Sequence, residues 1–237
     1  ACQTSPLQER FFVSRKGLLV QVKGIDYRVY LVTDDDYLDR NGIYQVIEQT
    51  LQNGVTLLQY RAKERSGREM LREAKLLREL TRKHDVPLII NDRLDIALAV
   101  DADGLHLGQD DLPLEVARNL LGRKIIGVSA TCYTQARTAV LQGADYVGVG
   151  PVFPTLTKKD AKPPCGLTEL QRLKSEFPQV PWVAIGGIDL SNGHEVIQAG
   201  ADGLAIISAI LGSDDPCGAV RRFAGLFEEK KGMGTAR

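Results

Sequence analysis

The 237-residue chain has no run of about 18 apolar residues, so it offers no membrane-spanning helix. It has no excess of charge of either sign: 30 Lys and Arg balance 30 Asp and Glu. That balance argues against a general nucleic-acid or anionic-membrane binder, whose footprint would be surplus Lys and Arg. Its four cysteines, Cys2, Cys132, Cys165 and Cys217, stand too far apart for a Cys-x-x-Cys metal or redox signature. Only three histidines occur, His84, His106 and His194, and none pairs with another at helical spacing, so a zinc centre is not expected. The opening "ACQTSPLQERFFVSRKGLLVQVKG" scatters its charges among short apolar runs and lacks the order of a secretory signal. A cytoplasmic setting with reduced thiols is therefore expected.

What is present is an alternation of short β-branched runs with longer helical patterns. Strands are expected at 28–33, 56–61, 87–92, 104–108, 124–130, 145–150, 181–187 and 203–208, with helices near 41–52, 67–84, 94–99, 113–121, 134–142, 168–176, 191–199 and 216–228. Eight strands each followed by a helix is the count of an α/β protein of the (β/α)8 TIM-barrel type, folded as a single domain. The near-continuous apolar strands suit a parallel sheet covered on both faces. A doubly wound open sheet would carry a Gly-rich fingerprint after its first strand, and "VTDDDYLDRNG" is not one. A weak repeat supports the barrel: "AVDADGLHLG", "LQGADYVGVG" and "IQAGADGLAI" each run from a helix end through a small residue and Asp into a strand. The expected organisation is an N-terminal extension over 1–26, a catalytic barrel over 27–228 and a frayed tail over 229–237.

In such a barrel, chemistry sits at the C-terminal ends of the strands. The second strand ends Gln59-Tyr60-Arg61-Ala62-Lys63, and its alternation sends Gln59, Arg61 and Lys63 to one side. An Arg beside a Lys suits an anion with several oxygens. The third strand ends Asn91-Asp92, and the fourth runs into Gln109-Asp110-Asp111. Carboxylates from two neighbouring strand ends suit Mg²⁺, which takes hard oxygens and keeps waters. Each segment also reads as a helix cap, with Pro113 just inside the second helix, and the residues alone do not separate Asp110 from Asp111. The fifth strand ends at Ser129. "IGGID" and "IISAI" follow on the seventh and eighth, where barrels often hold a phosphate on loop amides and a short helix, with Gly187 allowing close backbone approach. After the sixth strand, "GPVFPTLTKKD" opens a connection running to about Pro164, longer than an ordinary βα loop. It reads as a lid bearing Thr155, Thr157 and Lys158.

The segments "QYRAK", "IINDRLDIALAVDADGLHLGQDDLP", "GVSA", "GADYVGVGPVFPTLTKKD", "VAIGGI" and "QAGADGLAIISAI", in this order between Tyr27 and Gly225, resemble thiamine phosphate synthase. The resemblance implies a transferase that joins a hydroxymethylpyrimidine diphosphate to a thiazole phosphate, releasing pyrophosphate, with Mg²⁺. It implies that Gln59, Tyr60, Arg61, Ala62, Lys63, Asn91, Ser129 and Lys158 contact the pyrimidine diphosphate. Arg61, Lys63, Ser129 and Lys158 are the catalytic candidates among them. It selects Asp92 and Asp111 as the metal ligands. It assigns Thr155, Leu156, Thr157, Gly187, Ile207 and Ser208 to the thiazole phosphate. One departure is Thr131, where the family often has His after "GVSA". The implied partners are these two small substrates, with no nucleic acid or membrane, and a homo-oligomer is compatible with the pattern. A thiazole tautomerase on the same barrel is the alternative, but it needs a proton-transferring residue such as His near the end of the fifth strand, where Ser129-Ala130-Thr131-Cys132 stands. A non-catalytic phosphate-binding barrel would have no reason to assemble a metal site.

Overall fold

The computed structural model describes residues 10–13, 19–22, 24–155 and 162–233. Two strands, β1 (Arg10–Val13) and β2 (Leu19–Val22), pair antiparallel before the barrel, in the segment expected only as an extension. The eight barrel strands follow: β3 (Val29–Val32), β4 (Leu57–Tyr60), β5 (Leu88–Asn91), β6 (Gly104–Leu107), β7 (Ile125–Ala130), β8 (Tyr146–Val149), β9 (Trp182–Ile185) and β10 (Gly203–Ile206). They pair parallel in sequence order, and β10 closes on β3. Interleaved helices are α1 (Asp35–Leu38), α2 (Ile43–Gln52), α3 (Gly67–Lys83), α4 (Leu94–Ala99), α5 (Leu114–Leu121), α6 (Tyr133–Leu141), α7 (Gly166–Glu176), α8 (Gly193–Gln198), α9 (Ser208–Leu211) and α10 (Pro216–Met233). The expected TIM barrel is thus what forms. The short α1 and α9 were not foreseen, and α10 runs on through Met233, past the expected tail boundary. Among the described residues no helix is long and apolar enough to cross a membrane.

Alternation along each strand divides the core in two. Val29, Leu31, Leu58, Tyr60, Leu88 and Ile90 face the helices, while Tyr30, Val32, Leu57, Ile89, Tyr146 and Val183 fill the barrel interior. Helix α3 shows how sequence sets the outer layer. Ser66 and Glu69 form a reciprocal capping box, Met70, Ala74, Leu77 and Thr81 make one buried face, and Arg82 and Lys83 sit in the last turn.

The repeated Asp has a physical cause. Asp103, Asp145 and Asp202, each just before a strand, accept an N–H from the start of the preceding strand: Leu88 at 2.7 Å, Ile126, the second residue of β7, at 2.7 Å and Trp182 at 2.9 Å. Each also holds a cation from the helix before that preceding strand: Arg78 at 2.5 Å, Arg118 at 2.6 Å and Lys174 at 2.8 Å. Thr56 does the same for the N–H of Val29 at 3.0 Å. The barrel is therefore pinned at its N-terminal rim every second strand, which leaves the opposite rim free to carry polar groups.

Candidate active site

A cavity of about 210 Å³ opens at the C-terminal ends of the strands, and Gln59, Arg61 and Lys63 all line it. Alternation at the end of β4 thus brings these three together as expected. Tyr60 and Ala62 fall on the other side: Tyr60 is buried against the helices and donates its hydroxyl to Glu73 at 2.8 Å. Their side chains take no part in the cavity wall. Arg61 is held in place at both its backbone and its side chain. Its guanidinium meets Asp34 at 2.6 Å, and Thr33 Oγ1 accepts its N–H at 2.9 Å and donates to its carbonyl at 3.0 Å. Asp34, unremarked in the sequence, is largely buried, and burial pushes its carboxyl up against the opposing pull of Arg61.

Asn91, Asp92 and Asp111 line the same cavity, and Asp110 is exposed and does not. Neither carboxylate caps its helix. Arg93 and Pro113 occupy the N-cap positions of α4 and α5, with no side-chain cap bond in either, and Pro113 thus stands at the helix boundary itself. Asp92 instead has φ of +59°, a left-handed conformation costly for a residue other than Gly, Asn or Asp. Its side chain pairs with Lys63. Asp111 accepts the Gly108 N–H at 2.7 Å. Burial raises the Asp111 carboxyl above its ordinary range, and its hydrogen bond to Asp92 raises it further. Among the described residues no group of three or more His, Cys, Asp or Glu side chains comes together as a metal site. Two adjacent carboxylates that repel one another nonetheless fit Mg²⁺, which keeps several waters and takes remaining oxygens from phosphates.

Ser129 also lines the cavity, and sequence reasoning missed what lies behind it. His106, on β6, places Nε2 2.8 Å from Ser129 Oγ and Nδ1 2.8 Å from the Tyr146 hydroxyl. Tyr146 in turn lies 2.7 Å from the Tyr30 hydroxyl, which accepts from Gln59 Nε2 at 2.8 Å. The signal was His106 itself, at an inward position of "GLHLG". Gly127 makes room for the arrangement, since a Cβ there would stand 2.0 Å from the Tyr146 ring. Burial drives the His106 imidazole down to about 4, so at neutral pH it is uncharged and a poor base. With no carboxylate on Nδ1, the Ser129–His106 pair is not an activated nucleophile. Thr131 lines the cavity but ties its hydroxyl to Gln135 at 3.0 Å, and Cys132 is exposed at the N-cap of α6.

Gly187, Ile207, Ser208 and Thr155 line the far side. Gly186 and Gly187 have φ of +96° and +66°, and a Cβ on Gly187 would lie 2.5 Å from the Pro154 carbonyl. The loop after β8 packs on this turn: Val152 and Phe153 donate to Ile185 and Gly186 at 2.9 and 3.1 Å. Its far end is tied back by the Cys165 N–H to the Pro151 carbonyl at 2.8 Å. Leu156, Thr157 and Lys158 lie outside the described residues. Lys162, not singled out in the sequence, lines the cavity. The rim therefore gathers cations, a carboxylate pair and a glycine turn with a helix start, and among the described residues it shows no prepared nucleophile. Such a set binds and stabilises anionic oxygens.

Residues 29–210 match the family model described as thiamine monophosphate synthase. The chain is 49% identical over 202 residues to a thiamine-phosphate synthase of Chloroflexus aurantiacus, covering 85% of this chain and 93% of that one. It is 50% identical over 204 residues to one of Syntrophomonas wolfei, covering 86% and 97%. Among solved structures, thiamine phosphate pyrophosphorylase from Pyrococcus furiosus superposes with a TM-score of 0.78 at 38% identity, covering 86% of this chain and 97% of that one. The chain belongs to the thiamine monophosphate synthase family.

Proposed function

We propose that the cavity carries out the family's reaction with a division of labour that follows its geometry. The chain is a transferase of thiamine biosynthesis that condenses 4-amino-2-methyl-5-hydroxymethylpyrimidine diphosphate with 4-methyl-5-(2-phosphoethyl)thiazole, giving thiamine phosphate and pyrophosphate. Arg61 and Lys63 hold the diphosphate, joined by Lys158 from the loop, with Asn91 beside them. Gln59 and Ser129 bind the pyrimidine. Gly187, Ile207 and Ser208 take the thiazole phosphate on backbone amides, with Thr155, Leu156 and Thr157 as further contacts.

The bond from the methylene carbon to the diphosphate oxygen breaks first, and the pyrimidine ring stabilises the positive carbon. The thiazole nitrogen then supplies the electron pair for the new C–N bond. Negative charge grows on the leaving diphosphate, so fixed Arg61 and Lys63 stabilise the transition state more than the ground state. Asp34 keeps Arg61 aimed without consuming its remaining donors. Asp92 and Asp111 would hold Mg²⁺, which neutralises leaving-group charge when bound. The thiazole, held in place, supplies a proximity contribution of up to roughly 7–11 kcal/mol. His106 touches Ser129, but both its ring nitrogens are engaged inside the barrel, so it gives no support to proton-transfer chemistry of the tautomerase kind. The proposal also keeps the cytoplasmic setting, in keeping with the free thiols of Cys132, Cys165 and Cys217, and leaves a homo-oligomer open.

The single observation that carries this reading is the convergence of Arg61, Lys63 and the Asp92–Asp111 pair on one wall of the cavity that also holds the Gly187 turn. The test is to supply the two substrates with Mg²⁺ and measure both products. One pyrophosphate per thiamine phosphate is expected, with no product from the pyrimidine monophosphate. Equal use of the monophosphate would refute the assigned role of the diphosphate cradle.

A further inference from the structure

Five residues at the floor of the cavity form one unbroken hydrogen-bonded chain: Gln59, Tyr30, Tyr146, His106 and Ser129. Only its two ends, Gln59 and Ser129, have capacity left for a ligand. Tyr30 and Tyr146 are 1% and 0% exposed, so no water is available to satisfy a group left over inside the chain.

The direction of one bond therefore fixes all the others. Gln59 Nε2 donates to the Tyr30 hydroxyl, so the Tyr30 proton goes to Tyr146. The Tyr146 proton then goes to His106 Nδ1, which places the imidazole proton on Nε2, and Nε2–H donates to Ser129. What remains for the cavity is the Gln59 carbonyl oxygen, an acceptor, and the Ser129 proton, a donor. A mixed state fails. If Ser129 donated to His106 while Gln59 still donated to Tyr30, the Tyr30 oxygen would receive two protons and its own would have no acceptor. Reversal is possible only if all four bonds reverse together and the Gln59 amide turns over.

We propose that Tyr30, Tyr146 and His106 are positioning residues that force Gln59 and Ser129 to present opposite hydrogen-bonding characters, so that the site selects an aminopyrimidine over its oxo counterpart. The inference rests on the pyrimidine diphosphate reading above. A 4-aminopyrimidine edge offers an amino donor beside a ring-nitrogen acceptor, one of each. The 4-oxo form offers a carbonyl acceptor beside a ring N–H donor, the same pair exchanged. With the diphosphate held by Arg61 and Lys63, the ring cannot turn over to compensate. The oxo form therefore meets a donor with a donor and an acceptor with an acceptor, unless the whole chain reverses. The relay is one of a neutral ring, since a protonated one would donate from both nitrogens and break the sequence.

The test measures kcat/KM and calorimetric binding for the amino and oxo pyrimidine diphosphates. It uses the wild type, Tyr146→Phe and Tyr30→Phe, with melting curves to confirm folding. Each substitution removes one hydroxyl and keeps the ring. The wild type should prefer the amino form by at least about a hundredfold, as sites that pair a ligand's polar groups do. Either variant should lower that ratio at least about tenfold, because Gln59 and Ser129 can then reorient independently. A purely structural role would weaken both ligands equally and leave the ratio unchanged; that result in a folded variant would overturn the proposal. So would a wild type that binds both forms alike. A wild type that discriminates in binding but makes no thiamine phosphate would leave the relay standing and sink the proposed function instead.

Discussion

Lys63 pairs with Asp92 from the neighbouring strand end, and Asp92 lies close enough to Asp111 to push its carboxyl up. Asp92 sits in a left-handed backbone conformation that Asp tolerates, and Asp111 is half-buried with its proton held more tightly than usual. The folded metal-free chain binds the Asp111 proton more strongly than the unfolded chain does. Ionising it therefore costs stability as pH rises above the ordinary carboxylate range. Asp111→Asn removes the charge and keeps an acceptor for the Gly108 N–H. It should raise the melting temperature of the metal-free protein at pH 7 and lower turnover by about 100-fold or more. A variant that melts lower and turns over normally would contradict both halves.

His106 gives the opposite sign. Burial lowers its pKa from the ordinary 6.5 to about 4, so between those values the unfolded chain holds the extra proton. Stability should fall as pH drops from 6.5 towards 4, and His106→Gln should flatten that slope. Melting curves across this range test it; parallel profiles for wild type and variant would place the acid sensitivity elsewhere.

Asp145 should matter for stability alone. Asp145→Ala leaves the buried Ile126 N–H without its acceptor and removes the carboxylate partner of Arg118, which should cost about 1–3 kcal/mol. Denaturant unfolding measures this, and KM for both substrates should stay unchanged because the contact lies at the rim away from the cavity. A changed KM would show that the N-terminal rim communicates with the site.

Gly187→Ala tests the phosphate turn. The added Cβ would meet both a positive φ and the Pro154 carbonyl at 2.5 Å, so the loop after β8 must shift. The expected result is a lower melting temperature together with a raised KM for the thiazole phosphate, and a smaller change for the pyrimidine diphosphate. Equal loss for the two substrates would mean that the phosphate does not rest on this turn.

The sequence made the barrel legible because β-branched runs such as "PLIIND" and "KIIGVSA" recur between amphipathic helices, and neither pattern suits another element. Period-two alternation was enough to separate Gln59, Arg61 and Lys63 from Tyr60 and Ala62, although the family pattern runs through all five. Long-range geometry was not legible. Asp92 and Asp111 read equally as caps, since nothing local reveals a φ of +59° or a bond to Gly108. His106 entered only as one of three unpaired histidines, because its partners, Tyr146 and Ser129, lie 40 and 23 positions away. Asp34 was hidden in a run of three aspartates, and only the fold shows which of them meets Arg61. Helices α1 and α9, four residues each, are too short to carry a period.

The central claim is that Asp92 and Asp111 hold a divalent cation against the leaving diphosphate while Arg61 and Lys63 hold its other oxygens. The most direct measurement follows thiamine phosphate formation from the two substrates with Mg²⁺, after removal of metal by a chelator, and after Mg²⁺ is restored. Formation should stop with the chelator and recover fully on adding Mg²⁺, while melting curves stay cooperative throughout. Undiminished formation of thiamine phosphate in the chelator would contradict the account.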